Sequence, residues 1–280
     1  MIIWIASYPK SGNTWLRSFL ASYYFSDEGL FDVKHLEKIQ DYPNKQFFKN
    51  EVKKGEIHKH WDESQKNLCS QKQIRFLKTH NSLITAFGNN FTQPKYTLGV
   101  IYIIRDPRNV ITSLKNHNDF KTYEEALQMM LNENAVLSDY SHLNNHAKTN
   151  IINSWKINYQ SWLSNNFFRR LTIRYEDLIA DPYQTFRDVV IFINTICRFN
   201  DNFKLSKFNN AVKSTSFDAL QNLEATGKFS ENVYSVNDKK KIKFFYQGPN
   251  NDWRKNLDKN FINKMNEIYK EDLKKFNYQL

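Results

Sequence analysis

Cysteine is nearly absent. Cys69 and Cys197 are the only two in 280 residues, too few for a disulfide framework, so a reducing, cytoplasmic setting is expected. Long apolar runs are missing too. The opening run, Ile2 to Ala6, is broken at Tyr8-Pro9-Lys10 and has no basic segment ahead of it. That is too short for a signal peptide or a membrane span, and no later stretch is long enough to cross a bilayer. There are no internal repeats and no low-complexity linker, which leaves one large domain over 1–280 as the expectation. Metal-ligand sets are thin. His58 and His60 form an H-K-H pair, and His142 and His146 stand four apart. Neither pair has a nearby cysteine or a third ligand, so no metal is expected.

What is present is a hydrophobic share of 40% and an aromatic share of 15%, enough for a sizeable core. Lys and Arg number 40 against 29 Asp and Glu, a formal charge of +11. Such a surplus favours anionic partners: nucleotides, nucleic acid or anionic lipid. The run Lys239-Lys240-Lys241-x-Lys243 reads as a solvated face.

Residues 2–20, IIWIASYPKSGNTWLRSFL, carry the most information. A β-branched run ends in a tight turn, and Leu16, Phe19, Leu20 and Tyr23 then recur on one helical face. Strand, short loop with Gly, Lys and hydroxyls, then helix is a phosphate cradle, because a helix N-terminus offers unpaired N–H groups and partial positive charge. Gly12 lets the backbone approach an anion and Lys10 adds a point charge.

Further strands are predicted at Gln73–Thr79, Tyr96–Arg105 and Arg170–Tyr175. Helices are predicted after Asp106-Pro107, from Thr122 to about Tyr140, over Asn150–Leu163, from Asp181-Pro182 through Ile193, and as one C-terminal amphipathic helix marked by Phe261, Met265, Ile268, Leu273 and Phe276. Trp155 and Trp162 read as core. Residues 27–66 read as short helices and loops, and 224–247 as the most loop-like segment. Alternating strands and helices imply an α/β fold with a central parallel sheet covered on both faces.

Ligands of such sheets bind beyond the carboxyl ends of the strands. Three strand ends carry suitable residues: the Lys10 loop, Lys78-Thr79-His80, and Arg105 followed by Ser113 on the next helix. Lys10 and Arg105 would neutralise phosphate charge, and His80 would take a proton from an acceptor hydroxyl. The Walker pattern G-x-x-x-x-G-K-[ST] is absent, since Lys10 precedes Gly12.

Taken in order, Tyr8-Pro9-Lys10-Ser11-Gly12-Asn13-Thr14-Trp15, Lys78-Thr79-His80, Ile103-Ile104-Arg105-Asp106-Pro107-Arg108-Asn109-Val110-Ile111-Thr112-Ser113, Arg174-Tyr175-Glu176-Asp177-Leu178 and Ser214-Thr215-Ser216-Phe217 resemble the sulfotransferases that use 3′-phosphoadenylyl sulfate (PAPS). The resemblance covers nearly the whole chain. It implies a P-loop NTPase-like sulfotransferase fold and transfer of a sulfuryl group from PAPS, as co-substrate without metal, to a hydroxyl acceptor. It also implies roles. Lys10 would stabilise the leaving phosphate, and Ser11, Gly12, Asn13 and Thr14 would hold the 5′-phosphate. Trp15, Tyr175 and Phe217 would pack on adenine, with Thr215 in the same adenine-contacting stretch. Arg105 and Ser113 would bind the 3′-phosphate, Ser113 counting among the catalytic residues with Lys10 and His80. Gly248 fits the family pattern.

One region departs. Where the family commonly has Arg-Lys-Gly, this chain reads Tyr246-Gln247-Gly248, and Asn251 stands where a second glycine is usual. Arg254, Lys243 or Arg108 are the candidates to replace the two missing cations. Segments 27–66, 114–148 and 224–247 are expected to border the acceptor pocket, with Phe31, Tyr42, Phe47, Phe48, Trp61, His117, Phe120 and Tyr123 as candidates. The acceptor is expected to be a glycan, lipid or small alcohol, with no nucleic-acid partner; oligomeric state stays open. The alternatives are a P-loop-like kinase and a non-catalytic binding protein of the same fold.

Overall fold

A computed structural model describes residues 1–138, 146–199, 203–229, 233–234 and 241–280. His142, Lys239 and Lys240 lie outside the described residues, as do 230–232 and 235–240 of the loop-like segment.

The first third of the chain forms β1 (Ile2–Ser7), α1 (Asn13–Phe25), β2 (Gln40–Asp41), α2 (Trp61–Ser70), β3 (Arg75–Thr79), the hairpin of β4 (Thr85–Ala86) and β5 (Asn89–Asn90), and β6 (Thr97–Ile104). The middle contributes α3 (Pro107–His117), α4 (Tyr123–Leu131), β7 (Val136–Leu137), β8 (Asn150–Ile151), α5 (Trp155–Leu163), β9 (Arg169–Arg174), α6 (Tyr175–Ala180) and α7 (Pro182–Cys197). The rest comprises α8 (Leu205–Ser214), α9 (Phe217–Ala225), β10 (Val233–Tyr234), β11 (Lys241–Ile242), α10 (Trp253–Asn256), α11 (Lys259–Ile268) and α12 (Lys270–Lys275).

Five strands form one parallel sheet in the order β2-β3-β1-β6-β9. The side-chain period of two splits β1 between the two faces. Ile2, Trp4 and Ala6 join Val100, Tyr102 and Ile104 in one core with Trp155, Trp162 and Met265. Ile3 and Ile5 join Ile101, Ile103 and Ile173 in a second core with Phe19, Phe186 and Val190. Both faces are therefore covered, which is why the central strands read as unbroken apolar runs. Trp155 and Trp162 are core, as their helical spacing implied.

Helix α3 starts as the sequence predicts. Pro107 occupies its first turn, and the Asp106 carboxylate accepts from the Arg108 amide. Other boundaries move. The helix expected to run to Tyr140 ends at Leu131, where Asn132 turns extended and its side chain accepts from the Asn134 amide. The helix expected from Asn150 starts at Trp155, capped by Ser154, because 150–151 pairs with 136–137 as a small antiparallel ribbon. The single C-terminal helix is two, broken at Tyr269, which packs on Trp155 at 5.2 Å. The helix from Asp181-Pro182 runs four residues past Ile193, to Cys197.

Asp106 also holds Arg108. The Arg108 side chain is 1% exposed and pairs with Asp106 at 2.8 Å. It also donates to Asn266 and to the Gln279 carbonyl, tying the start of α3 to the C-terminus. Asp106→Ala strands that buried cation and should lower unfolding free energy by about 3–5 kcal/mol in urea titration. A loss below about 1 kcal/mol would show that the cap alone matters.

Candidate functional site

The site is built on the handover from β1 to α1. Lys10 has φ +66° and Gly12 φ +99°, so the loop turns twice through the left-handed region. At Gly12 a side chain is excluded on two counts. The backbone is left-handed, and a Cβ would fall 2.4 Å from the Tyr175 ring. The first amides of α1 have no partner within the helix and face out of its N-terminus. Nearby, the Ser11 hydroxyl and Arg105 Nε are buried with no hydrogen-bond partner among the described residues. Buried donors left open beside a helix N-terminus suit an anion.

This loop floors a cavity of about 360 Å³ at the carboxyl ends of the strands. Of the residues singled out from sequence, Lys10, Gly12, Asn13, Thr14, Trp15, His80, Arg105, Ser113, Tyr175, Phe217 and Gly248 all line it. Two do not. Ser11, a residue of the loop itself, is buried, and Thr215 is fully buried with its hydroxyl donating to the Ala211 carbonyl. Asn13 is placed differently from a side-chain ligand, for its amide group donates to the Ile5 carbonyl and to Ser7 Oγ. Only its backbone N–H is left for an anion.

Trp15, Tyr175 and Phe217 supply aromatic rings to the lining. Arg105 lies 4.2 Å over the Tyr175 ring, and its guanidinium donates to the Lys10 carbonyl at 2.9 Å. Trp15 meets Tyr175 edge-on at 6.1 Å. Gly248, at φ +50°, has no room for a Cβ, which would fall 2.0 Å from the Phe217 ring. The Gly248 backbone therefore packs directly on the Phe217 ring, as Gly12 packs on Tyr175.

His80 follows β3, and its Nδ1 lies 2.8 Å from the Ser7 carbonyl. A carbonyl only accepts, so Nδ1 carries the hydrogen and Nε2 keeps its lone pair. Asn150 accepts from the His80 amide, and Asn158, fixed by the Tyr102 hydroxyl, donates to the His80 carbonyl. Burial, then the Lys78 cation, hold the imidazole down to about 3 despite the Ser7 hydrogen bond. Lys10 Nζ lies 3.2 Å from His117 Nδ1 and 4.5 Å over the Phe244 ring. Burial and the Lys10 cation push His117 to about 2. Both imidazoles are therefore neutral.

The rest of the lining is mixed: Asp41 and Lys78, paired at 3.2 Å across the ends of β2 and β3, Lys148, Asn150 and Asn118 share it with Pro43, Leu114, Met129 and Leu137. Of the expected acceptor candidates only His117 lines the cavity. Tyr42 and Trp61 are core, and Phe31, Phe47, Phe48, Phe120 and Tyr123 pack partly buried against the cores. From segment 27–66 only Asp41 and Pro43 reach the wall.

The three cations expected to replace the missing pair are elsewhere. Arg108 is buried in the first turn of α3, and Arg254 stacks on Trp253 and pairs with Asp252. Neither these nor Lys243 lines the cavity, whereas Tyr246 and Gln247 do. Phe244 and Phe245 were not anticipated. Their amides donate to the buried Glu224 carboxylate, which brings them to the cavity from outside any regular element. Among the described residues no group of three metal-ligating side chains is present, and no helix is long and apolar enough to cross a membrane.

A family model described as Sulfotransferase domain matches residues 2–277. Solved structures of the same fold include mouse sulfotransferase SULT7A1 complexed with PAP, at 16% identity and TM-score 0.56, covering 97% of this chain and 84% of that one. Retinol dehydratase, solved with androsterone and the inactive cofactor PAP, aligns at 15% identity and TM-score 0.57, over 100% of this chain and 82% of that one. Its complex with retinol and PAP gives the same figures. No curated protein matches the chain by sequence.

Both imidazoles bind protons less readily folded than unfolded, since their ordinary value is 6.5. Their contribution to stability is whole above that value and drains as pH falls toward 3. Melting temperature should therefore fall on acidification from about pH 7 to about pH 4. The slope should be shallower in the double variant His80→Asn, His117→Asn; equal slopes would contradict two buried neutral imidazoles.

Proposed function

The chain belongs to the sulfotransferase domain family, and from that premise we propose that it is a PAPS-dependent sulfotransferase acting on a hydroxyl acceptor in the cavity described above. The observation that carries the reading is that Lys10, Arg105, Ser113 and His80, with the lone pair of its Nε2, line one cavity. The whole of 1–280 acts as one domain, in a cytoplasmic setting that keeps Cys69 and Cys197 as free thiols.

The residues present fit the donor. The amides of Gly12, Asn13 and Thr14 receive the 5′-phosphate, and Ser11, whose hydroxyl has no partner among the described residues, belongs to the same loop. Trp15, Tyr175, Phe217 and the bare edge of Gly248 take the adenine. Arg105 and Ser113 take the 3′-phosphate, with the neutral Gln247 and Tyr246 where cations are usual in the family. Arg105 is thus the cation assigned to the 3′-phosphate, and Lys10 and Lys78 line the same cavity.

His80 Nε2 accepts the proton of the acceptor hydroxyl as its oxygen bonds to sulfur. The bond from sulfur to the bridging oxygen breaks, and its electron pair goes to the 5′-phosphate, where Lys10 meets the new charge. The products are a sulfate ester and adenosine 3′,5′-bisphosphate (PAP); His80 then passes its proton to solvent. The chemistry asks for in-line placement and charge stabilisation, both of which a rigid cationic wall supplies. A depressed imidazole is a weak base; bound anionic donor offsets the Lys78 and Lys10 cations, which add to burial in depressing it.

A glycan hydroxyl is the acceptor favoured by the polar groups Asp41, Lys78, Lys148 and Asn150, which share the lining with Leu114, Met129 and Leu137. Asp41, held by Lys78 and Arg17 and half-exposed, is a fixed acceptor for sugar hydroxyls.

Calorimetry without metal should show PAP binding more tightly than adenosine 5′-phosphate or ATP. Equal affinity for PAP and adenosine 5′-phosphate would remove the 3′-phosphate site. Lys10→Ala should abolish transfer from PAPS, read as PAP release. His80→Ala should cut turnover by about 10²–10⁴-fold with PAP affinity retained; full turnover would exclude His80 as base.

A further inference from the structure

We propose that His117 is a positioning residue that holds the Lys10 ammonium at the point of transfer before the donor arrives. The proposal rests on the reading of Lys10 as the group that meets the leaving phosphate. Lysine carries its charge on a flexible four-carbon stem, so its placement has to be imposed from outside. Here the imposition comes from both ends. The Lys10 backbone is fixed in the left-handed region, with its carbonyl bound by Arg105 at 2.9 Å. The far end lies 3.2 Å from His117 Nδ1.

The direction of that contact is determined. An ammonium only donates, so His117 Nδ1 accepts, and the ring hydrogen sits on Nε2. His117 is thus the opposite tautomer to His80, whose Nδ1 carries the hydrogen. The two rings have separate tasks: one keeps a lone pair for the acceptor hydroxyl, the other spends its lone pair on Lys10.

A neutral acceptor suits this task better than the alternatives. A carboxylate would form an ion pair and cancel the charge that the leaving phosphate needs. A cation would repel Lys10, and a plain aromatic ring would offer packing without an acceptor. Burial and the Lys10 charge keep the imidazole neutral. The other side of the clamp is Phe244, whose ring face lies 4.5 Å from the ammonium and whose ring meets His117 edge-on at 5.8 Å. Phe244 is itself fixed through its amide by Glu224. His117 stands one helical turn beyond Ser113 on α3, so the helix that presents the serine presents the clamp on the same face.

Three measurements test this on the full chain. His117→Phe keeps the ring and removes the acceptor. It should lower conversion of PAPS to PAP by about 10–100-fold, the scale of an ångström misplacement, while PAP affinity changes little. His117→Asn restores an acceptor near the Nδ1 position and should recover most of the loss. Nitrogen-15 imidazole spectra should show His117 protonated at Nε2 only, and Lys10→Met should release it to a mixture. Full turnover in His117→Phe, equal losses in the Phe and Asn variants, or an Nδ1–H tautomer in the parent protein would each overturn the proposal. Failure of the parent protein to bind PAP would instead count against the donor reading, and the tautomer would still decide the role of His117.

Discussion

Everything at the site depends on how β1 gives way to α1. The strand is the centre of the sheet, flanked by β3 and β6, and is fully buried. Its end therefore cannot shift without disturbing both cores. From that fixed point the backbone makes two left-handed residues, Lys10 and Gly12, and enters the helix. Such a path costs free energy at Lys10, a residue with a Cβ. The Arg105 guanidinium, bound to the Lys10 carbonyl, is the contact that holds it there. Arg105 comes from the end of β6, the neighbouring strand, so sheet pairing and loop geometry set one another.

Electrostatics follow from the same junction. Lys10, Lys78 and Arg105 line one cavity, and the amides at the start of α1 add partial positive charge. Two imidazoles sit within this field, and both are held neutral by burial and by the cations. An empty cavity of this kind is set for anions. In the proposed reaction the donor's negative charge offsets the Lys78 and Lys10 cations beside His80, while burial, the larger cause of its depression, stays.

Much of this was legible in the sequence, and the reasons are physical. The loop YPKSGNT combines a strand end, a glycine and a helix start within a few residues, so local pattern alone marks it. The Asp106-Pro107 cap and the apolar run of β6 are local in the same sense. The losses lie where distant contacts decide. Helix α5 starts late because 150–151 pairs with a ribbon partner fourteen residues earlier. The aromatics of 27–66 serve the core, since the pocket wall takes Asp41 and Pro43 instead. Arg108, a candidate for the 3′-phosphate, is held at the start of α3 by Asp106 and the C-terminus. Phe244 and Phe245 reach the cavity through a carboxylate twenty residues away, which no spacing rule announces. The Lys10–His117 contact spans 107 residues, although the four-residue step from Ser113 to His117 was a usable signal.

The most direct measurement is a structure of the protein with PAP bound. The 5′-phosphate should rest on the amides of Gly12, Asn13 and Thr14 with Lys10 Nζ beside it. The adenine should lie between Trp15, Tyr175 and Phe217, and Arg105 should reach the 3′-phosphate. A nucleotide that leaves the α1 N-terminus empty, or that sets its phosphate away from Lys10 and His80, would contradict sulfuryl transfer at this cavity.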